Sequence, residues 1–187
     1  MRHGESTWNA SGLVQGQADG PVLTPEGRAQ AATLADALRL LPIRRIVTSD
    51  LARAEETASI IGEKLNLAWD RDAALRERNF GAAQGSLLSA LDAEWSGIDG
   101  DRVVDADARP PEGESLRDMS ERVNHFFDEM AQRDPGGDEL VVTHGGVIRI
   151  ALAQCDRVPV AAMTWGHVPN AGLWSLGPHE ICSPVPL

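Results

Sequence analysis

Two stretches of this chain change from a strand pattern to a helix pattern within a few residues. The β-branched run IRRIVTS, residues 43–49, is followed at once by the helical spacing of DLARAEETASIIGEKL. The apolar run ELVVTHGG, residues 139–146, continues in the same way into VIRIALAQC. Strands that alternate with helices predict an α/β fold in which helices cover both faces of a mostly parallel sheet. We therefore expect a three-layer α/β/α sandwich.

Two further helices are indicated by their caps and their apolar spacing. Thr24 is the expected N-cap of LTPEGRAQAATLADALRLL, with proline at the first helical position. Ser115, with an acidic residue three positions on, is the expected N-cap of ESLRDMSERVNHFFDEMAQR. For the helix in SDLARAEETASIIGEKL we expect the cap at Ser49 or Asp50. The other expected elements are strands in LAWD and AGLWSL, a short helix in SLLSALDAEW and a turn at DPGGD.

The composition limits the classes of protein to consider. The net charge is −11, from 28 acidic and 17 basic residues, which argues against general binding to nucleic acid or to anionic membranes. Two cysteines do not make a disulfide framework, and no apolar run approaches the length of a membrane span. A length of 187 residues suits one domain. We therefore expect a single cytoplasmic domain over residues 1–187.

Polar side chains follow the two predicted strands at the points where the strands end. Arg53 falls in the first turn of the helix after IVTS, and His144 follows VVT directly. Ligands of open α/β sheets bind beyond the carboxyl ends of the strands, so we expect these two side chains in one pocket. The stretch RHG, residues 2–4, supplies a further arginine and histidine. Such a pocket suits a tetrahedral oxyanion, above all a phosphoryl group.

The chain also resembles a known family. The stretches RHGESTWN, LTPEGRAQA, TSDLARAEET, LRERNFG, PEGES and VVTHGG occur in the order seen in the phosphoglycerate mutase-like branch of the histidine phosphatase superfamily. This similarity extends from Arg2 to about Gly146. It implies a nucleophile that becomes phosphohistidine, a clamp on the phosphoryl oxygens, and a general acid. The matching residues are, in that order, His3; Arg2, Arg53 and His144; and Glu77. Further substrate contacts are implied at Asn9, Gln15, Gly16 and Gly145.

Some of these residues also have a purely structural interpretation, whereas His144, between a buried strand and two glycines, is hard to explain structurally. Arg53 could pair on the helix surface with Asp50 or Glu56, and Glu77 lies in RER, which is also an ordinary solvated charge run. A histidine near a terminus is commonly solvated, and His125 is expected at a helix edge. No pair of histidines has the spacing of metal ligands, so we expect neither a metal nor another cofactor.

Three functions fit the motifs. The first is a metal-independent phosphomonoester hydrolase that acts on a small molecule. The second is a phosphoglycerate mutase, and the third is a phospho-ligand-binding protein with an inactive site. The filled nucleophile, clamp and acid positions disfavour the third. The second is disfavoured because this chain reads GQAD and ERNFG where cofactor-dependent mutases of the family usually read GW.D and ERHYG, and because it lacks their longer insertion before GES.

A lid or insertion is expected at about residues 86–113. It holds seven acidic residues and only Arg102 and Arg109 as cations. The expected substrate therefore has a neutral, cationic or apolar non-phosphate part, with Trp95 as an apolar wall. The oligomeric state stays open between a monomer and a homodimer. Trp165 and Trp174 could serve either an interface or the core.

The start of the sequence raises a separate expectation about the sheet. In the family the RHG stretch follows a central apolar strand, whereas here only Met1 precedes Arg2. A sheet without that strand is expected to leave a groove between the neighbouring strands. We expect a longer N-terminus to restore activity or stability.

Overall fold

Helices and strands alternate along the chain as the sequence predicts. The computed structural model describes residues 1–133, 136–177 and, for the backbone alone, 180–184. Within these ranges the helices are α1 Thr7–Ala10, α2 Pro25–Leu38, α3 Ala52–Leu65, α4 Ala93–Ser96, α5 Leu116–Ala131 and α6 Gly145–Cys155. The strands are β1 Ile43–Thr48, β2 Trp69–Arg71, β3 Ile98–Asp99, β4 Arg102–Val103, β5 Asp138–Val142, β6 Trp174–Gly177 and β7 Glu180–Pro184. Short 3₁₀ turns lie at Ala73–Leu75, Gly81–Ala83, Leu88–Ala90 and Val160–Ala162.

The central sheet of the described residues contains three parallel strands in the order β2, β1, β5. Ile46 of β1 pairs with Trp69, and Val47 pairs with Val141 of β5. Arg2 adds a single parallel bridge to Thr143, beyond the end of β5. The strands β6 and β7 form a separate antiparallel pair, as do β3 and β4. All three strands of the central sheet therefore present their carboxyl ends at one edge.

Neighbouring residues of β1 point into two different cores, as alternation along a strand requires. Ile46 packs with buried side chains of α2 and α3. Val47 packs on the other face with Met119 and Phe126 of α5 and with Val147 of α6. The sheet is thus covered by two layers of helices, and the expected three-layer α/β/α sandwich is confirmed.

The predicted N-caps are confirmed where the capping side chain bonds to its own helix. The side chains of Thr24 and Ser115 accept hydrogen bonds from the backbones of α2 and α5, and Ser115 completes a capping box. The prediction for α3 was wrong, because its N-cap position is Leu51 and no side chain caps it. The expected caps have distant partners instead: Asp50 pairs with Arg76 and Ser49 contacts His144.

The predictions for the stretches SLLSALDAEW and DPGGD are not confirmed as made. SLLSALDAEW does not form one short helix, because it divides into the 3₁₀ turn Leu88–Ala90 and α4. The predicted turn at DPGGD lies partly outside the described residues, since the structure describes its two glycines but not residues 134–135.

A groove lies beside β5, where the sequence leads us to expect an open position in the sheet. The Met1 ammonium donates to the Val141 carbonyl at 2.6 Å and is buried. Met1 and His3 therefore hydrogen-bond to the end of β5 and to Thr143 directly after it. Below them, between β5 and β6, is a cavity of about 430 Å³. Its apolar lining includes Met1, Ile43, Phe127, Leu140, Leu173 and Leu176.

One arginine ties several parts of residues 86–113 to the loop that follows the 3₁₀ turn Ala73–Leu75. Arg78 is fully buried and its guanidinium donates to four backbone carbonyls, with the Nη1 bond to Ser96 especially short. The other three acceptors are the carbonyls of Trp95, Ala108 and Glu114, at 3.2, 2.8 and 2.9 Å. Burial lowers the pKa of Arg78 to about 10, so the group stays charged at neutral pH.

Candidate active site

The backbone of His3 is held from two sides at the carboxyl edge of the sheet. Its N–H donates to the Thr143 carbonyl at 2.9 Å, and its carbonyl accepts from the Ala171 N–H at 3.1 Å. The following residue, Gly4, donates to the Thr57 hydroxyl of α3 at 3.1 Å. Three separate parts of the chain therefore fix the position of the His3 ring.

Two glycines allow the RHG loop to lie directly on α2. A Cβ atom added to Gly4 would stand 2.3 Å from the Gly27 carbonyl oxygen, and one added to Gly27 would stand 2.0 Å from the Glu5 carbonyl oxygen. Real Cβ atoms do not approach a backbone this closely, so both positions require glycine. The motif LTPEGR therefore contributes to the site through packing, because its glycine seats the loop that carries His3.

The hydrogen bonds of His3 leave one ring nitrogen free for chemistry. Its Nδ1 lies 2.6 Å from the Gly4 carbonyl, which can only accept, so Nδ1 carries the ring proton and Nε2 the lone pair. The side chain is buried, and burial together with the Arg53 and Arg2 guanidinium groups holds the pKa of His3 well below its usual value. His3 is therefore an unprotonated imidazole at neutral pH.

His144 faces His3 across the site. The two ring centroids lie 5.1 Å apart, with an angle of 61° between the planes. The His144 Nε2 atom lies 2.8 Å from the Ser49 hydroxyl, which also accepts from the Leu51 N–H. When Ser49 donates to Nε2, the Nδ1 atom carries the proton and is available as a donor. Burial, followed by the charge of Arg53, also holds the pKa of His144 well below its usual value.

The two structural interpretations of Arg53 are excluded. Asp50 pairs with Arg76, and Glu56 pairs with Arg28. The Arg53 side chain is instead buried, and its Nη2 donates to the Gly16 carbonyl at 2.7 Å. Burial lowers its pKa to about 10, which keeps it positively charged at neutral pH.

Unused donors are concentrated at this site. Among the residues that the structure describes, five buried side-chain nitrogen and oxygen atoms have no hydrogen-bond partner. Four of these belong to three residues of the site, and the fifth is the Asn124 Oδ1 atom. The four are Arg2 Nε, Arg53 Nε, Arg53 Nη1 and His144 Nδ1. Buried donors are normally paired, so this group indicates the binding place of an anion with several oxygen atoms.

The helix that carries Arg53 is also left uncapped. Leu51 at the start of α3 does not cap it with a side chain, whereas α2 and α5 have side-chain caps. His144 does not cap α6 either, but the Glu77 carboxylate accepts from the Gly146 N–H in the first turn of that helix. Free N–H groups at a helix N-terminus attract anions. The uncapped start of α3 therefore adds to the positive field created by the arginines.

Glu77 is not part of a solvated charge run. Its carboxylate accepts from the Arg78 N–H at 2.8 Å and from the Gly146 N–H at 3.1 Å. A Cβ atom added to Gly146 would collide with this carboxylate at 2.2 Å. The arginines on either side of Glu77 face elsewhere, Arg76 to Asp50 and Arg78 to the 86–113 segment. Glu77 is thus held at the start of α6, beside His144.

The other residues implied by the resemblance lie close to the site in supporting positions. The Asn9 side-chain oxygen accepts from Ser6 and from Asn170, which leaves only its amide NH₂ for a substrate. Gln15 accepts from the Ser6 hydroxyl at 2.6 Å. Gly16 contributes its carbonyl to Arg53, and Gly145 is the first residue of α6, directly after His144.

The sequence model of the histidine phosphatase superfamily (branch 1) matches residues 1–181. The chain belongs to this superfamily. One relative, the probable phosphoglycerate mutase GpmB of Yersinia enterocolitica, is 37% identical over 167 residues, covering 85% of this chain and 74% of that protein. The probable phosphoglycerate mutase GpmB of Klebsiella pneumoniae is 38% identical over 146 residues, covering 78% and 67%.

Solved structures share the fold of this chain. A mycobacterial glucosyl-3-phosphoglycerate phosphatase in complex with VO₃ superposes with a TM-score of 0.77 at 34% identity, covering 91% of this chain and 87% of the other. The protein TTHB049 from Thermus thermophilus gives a TM-score of 0.75 at 31% identity, covering 100% and 97%. The family predicted from the motifs is therefore confirmed.

Several contacts of the candidate site were missed in the sequence. The loop before β6 supplies the Val168 carbonyl, which accepts from the Arg2 guanidinium at 2.5 Å, and the Asn170 amide, which donates to Asn9 at 3.0 Å. Arg149 of α6 was missed as well, although its Nη1 atom would stand 2.9 Å from a Cβ atom on Gly145. Helical spacing alone does not distinguish an arginine over a helix start from one on a solvated face.

Two kinds of feature are absent from the part of the chain that the structure describes. No group of three or more His, Cys, Asp or Glu side chains among those residues could hold a metal ion. No helix there is both long and apolar enough to cross a membrane.

Proposed function

We propose that this histidine phosphatase hydrolyses small-molecule phosphomonoesters through a phosphohistidine intermediate on His3, without a metal or a cofactor. The observation that carries the proposal is the set of unused donors from Arg2, Arg53 and His144 around an imidazole whose Nε2 lone pair is free. Loose phosphoryl transition states need positioning and positive charge, and these groups supply both.

In the first half-reaction, His3 Nε2 attacks the phosphorus atom and the P–O bond to the substrate alcohol breaks. Arg2, Arg53 and His144 bind the non-bridging oxygens while negative charge shifts toward the leaving oxygen. Glu77 donates its proton to that oxygen, so that the alcohol leaves as a neutral molecule.

In the second half-reaction, water attacks the phosphorus of phosphohistidine. Glu77, now a carboxylate, takes a proton from that water, and the P–N bond breaks to return His3 to its starting form. Inorganic phosphate leaves, and Glu77 is again protonated. The balance is one ester and one water converted into one alcohol and one phosphate.

A phosphoglycerate mutase is the second candidate, because relatives in Yersinia and Klebsiella carry that probable name. A mutase would use the same first half-reaction but return the phosphoryl group to an organic acceptor rather than to water. The named glucosyl-3-phosphoglycerate phosphatase, of similar fold, supports the hydrolase.

The test is a panel of phosphomonoesters assayed in the presence of a chelator. Wild type is expected to release phosphate, and His3→Ala is expected to lose at least about 10³-fold in kcat, since it removes the nucleophile. His125→Ala is the matched control, because His125 is exposed and pairs only with Glu129 on α5. Hydrolysis at the wild-type rate in His3→Ala would refute the proposal. A product isomer formed without phosphate release would establish the mutase instead.

A further inference from the structure

The stretch PEGES, residues 111–115, lies directly against LRERNFG, residues 75–81. The Glu114 N–H donates to the Asn79 carbonyl at 2.9 Å, and the Glu114 Oε1 atom accepts from the Asn79 N–H at 2.9 Å. A Cβ atom added to Gly113 would stand 2.7 Å from the Asn79 carbonyl oxygen, so glycine permits this approach. The two stretches are therefore joined two residues after the proposed acid.

Arg122 of α5 binds the same glutamate and the same loop. Its Nε and Nη2 atoms donate to the two Glu114 carboxylate oxygens at 3.2 and 2.6 Å. Its Nη1 atom donates to the Ala74 carbonyl at 2.7 Å, and Nη2 also donates to the Glu77 carbonyl at 3.1 Å. The side chains of this ion pair are only 22% and 16% exposed. Arg122 therefore holds the backbone at Glu77 and three residues before it.

The Glu77 carboxylate has only backbone partners. Among the described residues it accepts from the Arg78 and Gly146 N–H groups, and no side chain hydrogen-bonds to it. The Glu77 carbonyl, by contrast, accepts from two side chains, those of Arg122 and Gln17, the latter at 3.0 Å. Because no side chain holds the carboxylate, its position relative to α6 depends on where the backbone of Glu77 is held.

The charge of Arg122 also acts on the site. Burial is the main cause of the low pKa of His144, and Arg122 is one of the positive charges that lower this pKa further. The Arg117–Asp107 pair, by contrast, lies on the exposed surface, where ion pairs contribute little. Arg122 thus differs from an ordinary surface arginine, because its ion pair is mostly buried and it binds two carbonyls of the loop that carries the proposed acid.

We propose that Arg122 and Glu114 are positioning residues for the general acid, because their ion pair fixes the backbone of Glu77 and so keeps its carboxylate at the start of α6. Neither side chain has to touch the substrate. Glu77 lies in a loop, whereas Arg122 lies within the 16-residue helix α5, and functional groups on helices are held more precisely than those on loops. The inference rests on the proposed role of Glu77 as the proton donor.

The first test compares two esters that differ in their need for a proton. Arg122→Met is expected to slow first-turnover cleavage of an alkyl phosphate by about tenfold, since a displaced acid protonates the leaving alcohol poorly. Cleavage of 4-nitrophenyl phosphate, whose phenol needs little protonation, should stay within about twofold of wild type. Glu114→Gln, which keeps the size of the side chain, is expected to slow the alkyl phosphate selectively as well. Equal slowing of both esters, or no slowing of the alkyl phosphate, would overturn the proposal.

Two further variants separate positioning from a general loss of stability. In a Glu77→Gln background, Arg122→Met should slow the alkyl phosphate by less than about twofold more, because no acid remains to be positioned. A further loss of about tenfold there would overturn the proposal, since Arg122 would then act without Glu77. Arg45→Met is the matched control, because it leaves the nearly buried Glu139 unpaired between β1 and β5. This control should leave the ratio of the two ester rates unchanged, and a shift like that of Arg122→Met would also overturn the proposal.

The Gly146 N–H reports on the position of Glu77 without any need for activity. It lies in the first turn of α6, where the helix offers no acceptor, and it donates to Glu77 Oε2 at 3.1 Å. Its hydrogen exchange, followed by NMR, should be at least about tenfold faster in Arg122→Met, as in Glu77→Ala, and unchanged in Arg45→Met. If wild type hydrolyses no ester but this pattern holds, the phosphatase proposal fails and the positioning role stands. If esters are hydrolysed through His3 while exchange and ester ratio are unchanged in Arg122→Met, the function stands and this inference fails.

Discussion

At the scale of single residues, the site depends on two histidines buried without charge. His3 and His144 are both buried, and burial is the main reason why their pKa values lie well below 6.5. In the unfolded chain both would titrate near 6.5. A neutral His3 keeps its lone pair for attack even in mildly acidic solution.

These two histidines predict how stability depends on pH. Below pH 6.5 the unfolded state binds protons at both positions while the folded state does not, so the free energy of unfolding falls as the pH falls. Well above that pH they contribute no pH dependence. Denaturant titrations on both sides of pH 6.5 should therefore show a smaller acid-side loss in a His3→Gln/His144→Gln double variant than in wild type. The exposed His125→Gln is the control, and identical pH profiles in all three proteins would contradict the prediction.

Glu77 predicts a dependence on the leaving group. Glu77→Gln cannot donate a proton, so first-turnover cleavage of an alkyl phosphate should slow by about 10²- to 10³-fold. An aryl ester with an acidic phenol, such as 4-nitrophenyl phosphate, needs little protonation and should lose less than about tenfold in the same step. Rapid-quench measurement of the released alcohol or phenol checks this. Equal losses for the two esters would exclude Glu77 as the acid.

The sequence could locate these residues but not their partners. The strand-end positions of Arg53 and His144 follow from the alternation of strands and helices, and RHG and LRERNFG follow from the family resemblance. The partners that decide between interpretations come from far along the chain: Arg76 takes Asp50, and the Val168 carbonyl takes Arg2. Arg149 was missed because helical spacing alone does not distinguish an arginine over a helix start from one on a solvated face.

At the scale of elements, the sequence predicts a helix start correctly only where the capping side chain bonds to the backbone of its own helix. Thr24 and Ser115 bond to their own helices, as expected. The Ser49 hydroxyl bonds to His144 instead of capping α3, so α3 begins uncapped at the site. The failure of the prediction thus marks a functional position, since an uncapped helix start is what an anion requires.

Arg78 is the element-scale anchor of residues 86–113. Replacing it with methionine leaves the carbonyls of Ser96, Ala108 and Glu114 without their donor, which we expect to cost about 2–4 kcal/mol of unfolding free energy. Most of the carbonyls bound by Arg78 belong to residues 86–113, so losing these bonds should loosen that segment. Limited proteolysis should therefore cut between residues 95 and 113 much faster in Arg78→Met than in wild type. Arg117→Met, which breaks an exposed ion pair with Asp107, is the control. Unchanged cleavage in Arg78→Met would show that the segment is held by other contacts.

At the scale of the whole molecule, the three-stranded sheet of the described residues has β1 at its centre and a groove beside β5. The motif order and the strand pattern were sufficient to predict the layered fold and this open position. The separate pairing of β6 with β7 could not be predicted, because it depends on which edges the central sheet leaves free. The Met1 amine is buried at the end of the groove, and burial lowers its pKa from 8.0 to about 5.

The groove predicts that an added strand stabilises the protein. Four apolar β-branched residues fused before Met1 would continue parallel to β5, fill the cavity and replace the buried amine with an amide. We expect a gain of about 2 kcal/mol or more, or roughly 2–4 °C in Tm for each kcal/mol. A Gly-Ser extension of the same length is the control, since it offers no apolar side chains. Equal Tm values for the two extensions would contradict the prediction.

The central claim is that His3 carries the phosphoryl group between the substrate and water. Acid-free rapid quenching followed by mass spectrometry of the digested protein tests it most directly. The account predicts a phosphoryl adduct on the peptide that contains His3, formed within the first turnover and lost at the steady-state rate. It also predicts that the adduct accumulates in Glu77→Gln with an aryl ester, because water attack then lacks its base. Turnover of the ester by wild type with no adduct on His3, or with the adduct on another residue, would contradict the account.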